Sequence, residues 1–209
     1  QGLTRQHNLA ALLFFRRTKL LIFDITGIMV RARHDAESTT SMISAVERLG
    51  LAAGDCSVIG DTRSYAPTAA ALVNGTLAHS LDFDDTHAAG SLHSSAPIVP
   101  AALAAAEMAG SSGRDLIAAC VVGYEVQIRL ALALNPSEHY DRGFHPTATC
   151  GVFGAAAAAG RARGRDWGAR AAAHGGADGV RLRRIGGFVC KFIYFITCRR
   201  VLQGKRCWS

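Results

Sequence analysis

At 209 residues the chain has room for one medium domain, or for one domain and part of another, and it can bury a sizeable core. Its net charge of +7 would suit a nucleic-acid or membrane partner, yet residues 1–160 hold 11 Lys and Arg against 14 Asp and Glu, and residues 161–209 hold 12 against 2. The body is therefore mildly acidic, which excludes net charge as evidence of polyanion binding there, and the basicity belongs to the last quarter of the chain.

Alanine abounds and aromatics are few, a composition that favours packed helices over sheet. Cys56, Cys120, Cys150, Cys190, Cys198 and Cys207 show no C-x-x-C pair and no zinc spacing, so they read as free thiols in a reducing compartment. Leu9 to Phe15 is apolar, but Arg16, Arg17 and Lys19 follow with no small-residue cleavage site. A cytoplasmic protein is expected.

Residues 9–30 are apolar on most faces and broken by Arg16, Arg17, Lys19 and Asp24. They predict a buried core helix ending near Gly27 rather than a membrane span. Residues 38–49 open with hydroxyl caps and place Met42, Ile43, Val46 and Leu49 at helical spacing before Gly50, a second helix. An apolar run at Ser57 to Gly60 suggests extended chain. Thr68 to Leu81 repeats the helical period, interrupted by Gly75, which reads as a point of close helix approach.

Residues 74–100 then gather three aspartates, three histidines and a cluster of hydroxyls. Ser95 as cap and Pro97 in the first turn predict a helix to Gly110. Ser111 or Ser112 opens another, with Leu116, Ile117, Cys120, Val121, Tyr124, Ile128 and Leu132 in period, closed by Asn135 and Pro136. A polar loop brings His139, Tyr140 and His145 together, and Thr147 or Thr149 caps a last alanine-rich helix. Beyond Gly164 arginine rises, acids nearly vanish and periodicity fades until Ile185 to Cys198, a run too short to span a bilayer.

Three features could carry chemistry. His93 and His145 each stand just before a small-residue helix start, where unpaired N–H groups and the helix dipole favour a carboxylate or phosphate. An imidazole there can give or take a proton near neutral pH; its bland reading is a capping or packing residue. Asp82, Asp84 and Asp85 with Thr86 form an acidic patch. If the preceding helix persists, Asp82 and Thr86 share a face one turn apart while Asp84 points elsewhere. Such a carboxylate could remove a proton alpha to a carboxyl group. A metal site of His79, Asp82, Asp85, His87 and His93 is the rival reading, although no compact ligand spacing supports it. Finally, the arginine-rich tail with Phe192, Tyr194, Phe195 and Trp208 could bind nucleic acid, but no recognised motif accompanies it, so no nucleic-acid or membrane partner is expected.

At ALVNGTLAHSLDFDDTH, HSSAPIVPAALAAAE, VVGYEVQIRLALAL and GFHPTATCGVFGAAAAA the chain resembles the MmgE/PrpD family, which includes 2-methylcitrate dehydratase, cis-aconitate decarboxylase and iminodisuccinate epimerase. The resemblance covers roughly residues 17–162 and rests on several ordered blocks. It implies an all-α helical domain followed in the family by a smaller α+β domain, usually in a homodimer, with a cofactor-independent site for small di- or tricarboxylates. Carried over by motif, Asp82, His93 and His145 are the expected catalytic residues. Thr86, Ser94, Ser95 and Thr147 are the expected substrate-binding hydroxyls, and 2-methylcitrate dehydration is the expected lyase reaction.

Family members are roughly twice this long, and their active-site lysines have no counterpart here, since Lys191 and Lys205 lie in no matching motif. The expected organisation is an incomplete helical domain at 1–162, the α+β domain absent, and a basic tail at 163–209 of the kind an out-of-frame reading of a GC-rich gene produces. An inactive truncated fragment or helical interaction module is therefore the alternative to an enzyme.

Overall fold

The computed structural model describes residues 2–164, with side chains from residue 12 onward. The basic tail beyond Gly164, its apolar run at Ile185 to Cys198, and Lys191 and Lys205 lie outside the described residues.

Seven helices carry the architecture, as the alanine-rich composition predicts. They are α1 (Gly2–Asp35), α2 (Glu37–Arg48), α3 (Pro67–His79), α4 (Ser95–Ala109), α5 (Gly113–Ala133), α6 (Pro136–Asp141) and α7 (Pro146–Ala162). Two short antiparallel ladders interrupt them: β1 (Cys56–Ser57) with β2 (Ser64–Tyr65), and β3 (Thr86–His87) with β4 (Leu92–His93). Among the described residues the fold is all-α.

The first helix departs from expectation in two ways. It runs through Gly27 to Asp35, and only one stripe of it, including Ile25, Met29 and Ala32, is buried; Phe23 is 80% exposed and Leu13 and Leu20 also face outward. The expected hydroxyl caps of α2 do other work. Thr39 Oγ1 donates back to Ala32 O at 2.9 Å, and Ser38 Oγ lies 2.7 Å from Ser80 Oγ, so both tie α2 to neighbouring helices. Gly50 stops α2 at φ +69°, a conformation that costs glycine little. The 57–60 run is extended only at its start, in β1. Buried Asn74 pins that loop to α3, accepting from Ile59 N at 2.8 Å and donating to Ser57 O at 2.9 Å. Helix α3 passes through Gly75 unbroken.

The core is built from small residues. Ala69, Ala70 and Ala71 of α3, Ala101, Ala102, Ala104 and Ala105 of α4, and Ala155, Ala158 and Ala159 of α7 are all buried. Short side chains let these helices pack at close range, where dispersion contacts accumulate. The tightest crossing joins α4, α5 and α7. A Cβ on Gly123 would stand 2.7 Å from Ile98 Cγ2 and 2.9 Å from Ala158 Cβ; one on Gly154 would stand 2.8 Å from Gly123 O. Helix α5 is long and apolar enough to cross a membrane by length and composition, yet Cys120, Gly123, Tyr124 and Gln127 are packed inside the bundle. Cys56, Cys120 and Cys150 are free and buried, and burial pushes the Cys120 thiol up to about 12.

The glycine crossing makes a direct prediction. Gly154→Ala gains helix propensity but overpacks the crossing, for a net loss of about 1–3 kcal/mol. A urea melt should show a lower midpoint with unchanged slope. An unchanged midpoint would mean that the helices are not this close.

Candidate active site

Helix α3 ends at His79, and the chain then turns sharply because Asp82 takes left-handed geometry at φ 60°. Aspartate tolerates that region better than most residues. The turn overrides the expected helical continuation, so Asp82 and Thr86 do not share a helix face. Thr86 lies instead in β3, paired directly with His93 of β4. A one-turn 3-10 helix at Ala88–Gly90 closes the hairpin, with His87 Nδ1 accepting from Gly90 N at 3.0 Å. His93 then stands two residues before α4.

Asp84, which helical geometry would have pointed elsewhere, sits at the centre. Its side chain is wholly buried, and Oδ2 lies 2.9 Å from His79 Nδ1 and 3.5 Å from His93 Nδ1. His93 Nδ1 also lies 3.3 Å from the Asp84 backbone carbonyl. A carboxylate taken out of water without partners costs several kcal/mol, and the two imidazoles meet that need at Oδ2. Oδ1 has no hydrogen-bond partner among the described residues. The rings of His79 and His93 meet edge to face at 5.1 Å.

The second expected histidine arrives from α7. His145 is the N-cap residue of that helix, its Nδ1 accepting from Thr147 N at 3.2 Å, so the ring takes the role expected of Thr147 or Thr149. Its Nε2 lies 3.1 Å from Tyr140 Oη, which donates to Ser91 O at 3.0 Å. An acceptor Nδ1 leaves the proton on Nε2, so both nitrogens are committed. Burial first, then the nearby His79 and His93, lowers the His145 pKa to about 4. The ring is neutral at physiological pH. It stacks on His93 with centroids 6.4 Å apart, so the two histidine-marked helix starts do face one another. Tyr140 lies on α6, a helix in what the sequence reads as a loop.

The expected hydroxyls divide by exposure. Thr86 is exposed. Thr147 is wholly buried and its Oγ1 accepts from His93 N at 2.9 Å, bracing β4 against α7. Gln127 of α5 adds to the brace by donating to His93 O at 3.3 Å. Ser95 Oγ is 2.8 Å from Tyr124 Oη, and Ser95 does not cap α4. Instead its N–H donates to Asp85 Oδ1 at 2.9 Å, so the cap is a carboxylate, whose pKa burial raises. Ser94 Oγ is buried with no hydrogen-bond partner among the described residues.

Of the residues weighed as metal ligands, His79, Asp82 and His93 come together through Asp84, one ligand atom from each lying within 4.8 Å of the others. Asp85 and His87 are drawn off as caps. The donor types would suit a divalent cation. In this arrangement Asp84 instead lies against the Nδ1 atoms of both histidines, at 2.9 Å and 3.5 Å from Oδ2. Asp84 and His79 as a hydrogen-bonded pair escaped the sequence reading. The only available signal was their five-residue separation across a helix end.

An all-helical domain whose α4 and α7 starts are joined through two histidines and a buried aspartate defines the class of the protein. The chain belongs to the MmgE/PrpD family: the model of the MmgE/PrpD N-terminal domain matches residues 4–183, past the boundary expected at 162. A cis-aconitate decarboxylase-like protein of Aspergillus oryzae is 39% identical over 118 residues, which are 53% of this chain and 24% of that protein. The cis-aconitate decarboxylase of Aspergillus terreus is 36% identical over 112 residues, 51% of this chain and 22% of its own length. The human cis-aconitate decarboxylase is 44% identical over 98 residues, 44% of this chain and 20% of its own. The match thus covers a quarter or less of each relative.

The depressed His145 pKa sets a pH dependence. Its ordinary value is 6.5 and its folded value about 4, so the stability it contributes is fully present above 6.5 and is lost as pH falls toward 4. From about pH 7 to about pH 5 this group alone should remove about 2 kcal/mol of folding stability. His145→Gln is expected to flatten that part of the urea-midpoint profile, and parallel profiles for the two proteins would contradict the buried neutral ring.

Proposed function

We propose that this domain binds a small di- or tricarboxylate at the facing starts of α4 and α7 and serves a lyase reaction there. The observation that carries the reading is the convergence of His93, Asp82 and the Asp84–His79 pair on one place, with the ring of His145, the α7 cap, centred 6.4 Å from that of His93. Of the N–H groups at these starts, that of Ser95 serves Asp85 and that of Thr147 serves His145, so side chains carry the recognition. His93 makes no hydrogen bond through Nε2 among the described residues, which leaves that atom to exchange a proton with substrate.

Two reactions use the same machinery. In dehydration of 2-methylcitrate, a base takes the proton alpha to a carboxylate, the C–O bond breaks, and the hydroxyl leaves as water with a proton from an acid. In decarboxylation of cis-aconitate, a C–C bond breaks, carbon dioxide leaves, and the electron pair left on carbon is quenched by a proton. Epimerisation of iminodisuccinate would share the carbanion-like intermediate. The names of the relatives favour decarboxylation. In each reaction His93 and Asp82 are the proton-exchanging groups. His145, neutral and bonded at both nitrogens, anchors the α7 start. Thr86 and Ser94 are the hydroxyls left for the substrate, since Ser95 and Thr147 brace the backbone that carries His93.

The test is turnover of the 209-residue chain with cis-aconitate, followed by carbon dioxide release, and with 2-methylcitrate, followed by formation of the unsaturated product. His93→Ala is expected to lower kcat by roughly 10²–10⁴-fold, the usual contribution of a positioned acid–base group. Absence of turnover with either substrate in the parent chain would sink the lyase reading in favour of a helical module without catalysis.

A further inference from the structure

We propose that Asp84 is the positioning residue of the site: it fixes which nitrogen of His79 and of His93 carries the proton, and so leaves Nε2 of His93 as the reactive nitrogen. This rests on the lyase reading for its purpose, but its geometry stands apart from that reading.

The Nδ1 atom of His93 faces only acceptors on Asp84, the carboxylate Oδ2 at 3.5 Å and the backbone carbonyl at 3.3 Å. Neither can donate, so the ring proton sits on Nδ1. The same Oδ2 takes His79 Nδ1 at 2.9 Å, and an ionised carboxylate likewise requires an N–H there. In the neutral form of His93 the lone pair is therefore on Nε2, the atom with no partner among the described residues. A free imidazole exchanges between its two tautomers, and the hydrogen bond made by one nitrogen decides the state of the other. One carboxylate here decides it for two rings.

Burial makes the device specific. With its side chain wholly inside the protein, Asp84 cannot exchange these imidazoles for water. The backbone of His93 is held independently, by Thr147 Oγ1 at its N–H and by Gln127 Nε2 at its carbonyl. Removing the carboxylate should thus disturb ring protonation more than the position of the β4 backbone. At Nδ1, His79 meets the Asp84 side chain, whereas His93 meets both that side chain and the Asp84 carbonyl. The two rings are expected to respond unequally.

The experiment is long-range ¹H–¹⁵N correlation NMR on the full chain with ¹⁵N-labelled histidine and EDTA present, signals being assigned by single His→Gln variants. In the parent protein both His79 and His93 are expected to show a protonated Nδ1, and any neutral His93 a pyridine-type Nε2. In Asp84→Ala, His79 is expected to lose its fixed Nδ1–H form and His93 to lose it partly. Asp84→Asn keeps an acceptor oxygen and should restore it. Where turnover is present, Asp84→Ala is expected to lower kcat roughly 100-fold with little change in KM, and a purely structural role would lower the amount of folded protein without moving the tautomers. A protonated Nε2 on neutral His93 in the parent chain, or tautomers unchanged in Asp84→Ala, would overturn the proposal. Because the parent spectrum alone can refute it, a variant that fails to fold leaves the test intact, and a chain without turnover would remove the lyase reading while these spectra still decide this one.

Discussion

A carboxylate buried between two imidazoles is the constraint on which the site depends. Asp84 has no access to water, and its Oδ2 is placed against His79 from the end of α3 and His93 from the start of the α4 segment. A buried charge is tolerated only with partners held in place, so the turn at Asp82, the β3–β4 hairpin and the two helix ends are mutually required. The interaction also joins consecutive helices at the point where the proposed chemistry occurs. The structural need and the proposed functional one fall on the same three residues.

The rest of the bundle brings α7 to that point. Alanine faces and the Gly123–Gly154 crossing allow α4, α5 and α7 to approach closely. Their approach lets Thr147 and Gln127 reach the His93 backbone and sets His145 against the His93 ring. His145 takes a different part from His93 for a reason visible in its bonds. One nitrogen caps a helix and the other is tied to Tyr140, so both are engaged within the protein. Similar sequence contexts, a histidine before a run of small residues, thus produce two environments.

Much of this was legible in the residues. Helical periodicity and cap signals place α2, α4, α5 and α7 within a few positions, and the family motifs point to His93, His145 and Asp82. What stayed hidden has physical causes. Periodicity cannot report that Asp82 adopts a left-handed backbone just beyond the end of α3, where the chain leaves the helix and Thr86 enters β3. Capping preferences favour serine and threonine, but at α4 and α7 the groups in place are the Asp85 carboxylate and the His145 ring. The apolar faces of α1 looked like core because composition does not say which face has a neighbour. Of the rival metal set, His79, Asp82 and His93 converge through Asp84, while Asp85 and His87 serve as caps.

The relatives named as cis-aconitate decarboxylases are matched over a quarter or less of their length, so the reaction is an inference from a shared domain and its site. The lyase reading requires that the domain bind a small polycarboxylate beside His93. Titration of cis-aconitate into ¹⁵N-histidine-labelled protein measures this directly. The account predicts saturable shifts of the His93 and His145 ring signals that disappear in His93→Ala, with the surface histidine His34 unmoved. Shifts absent from His93, or equal at His34, would contradict it.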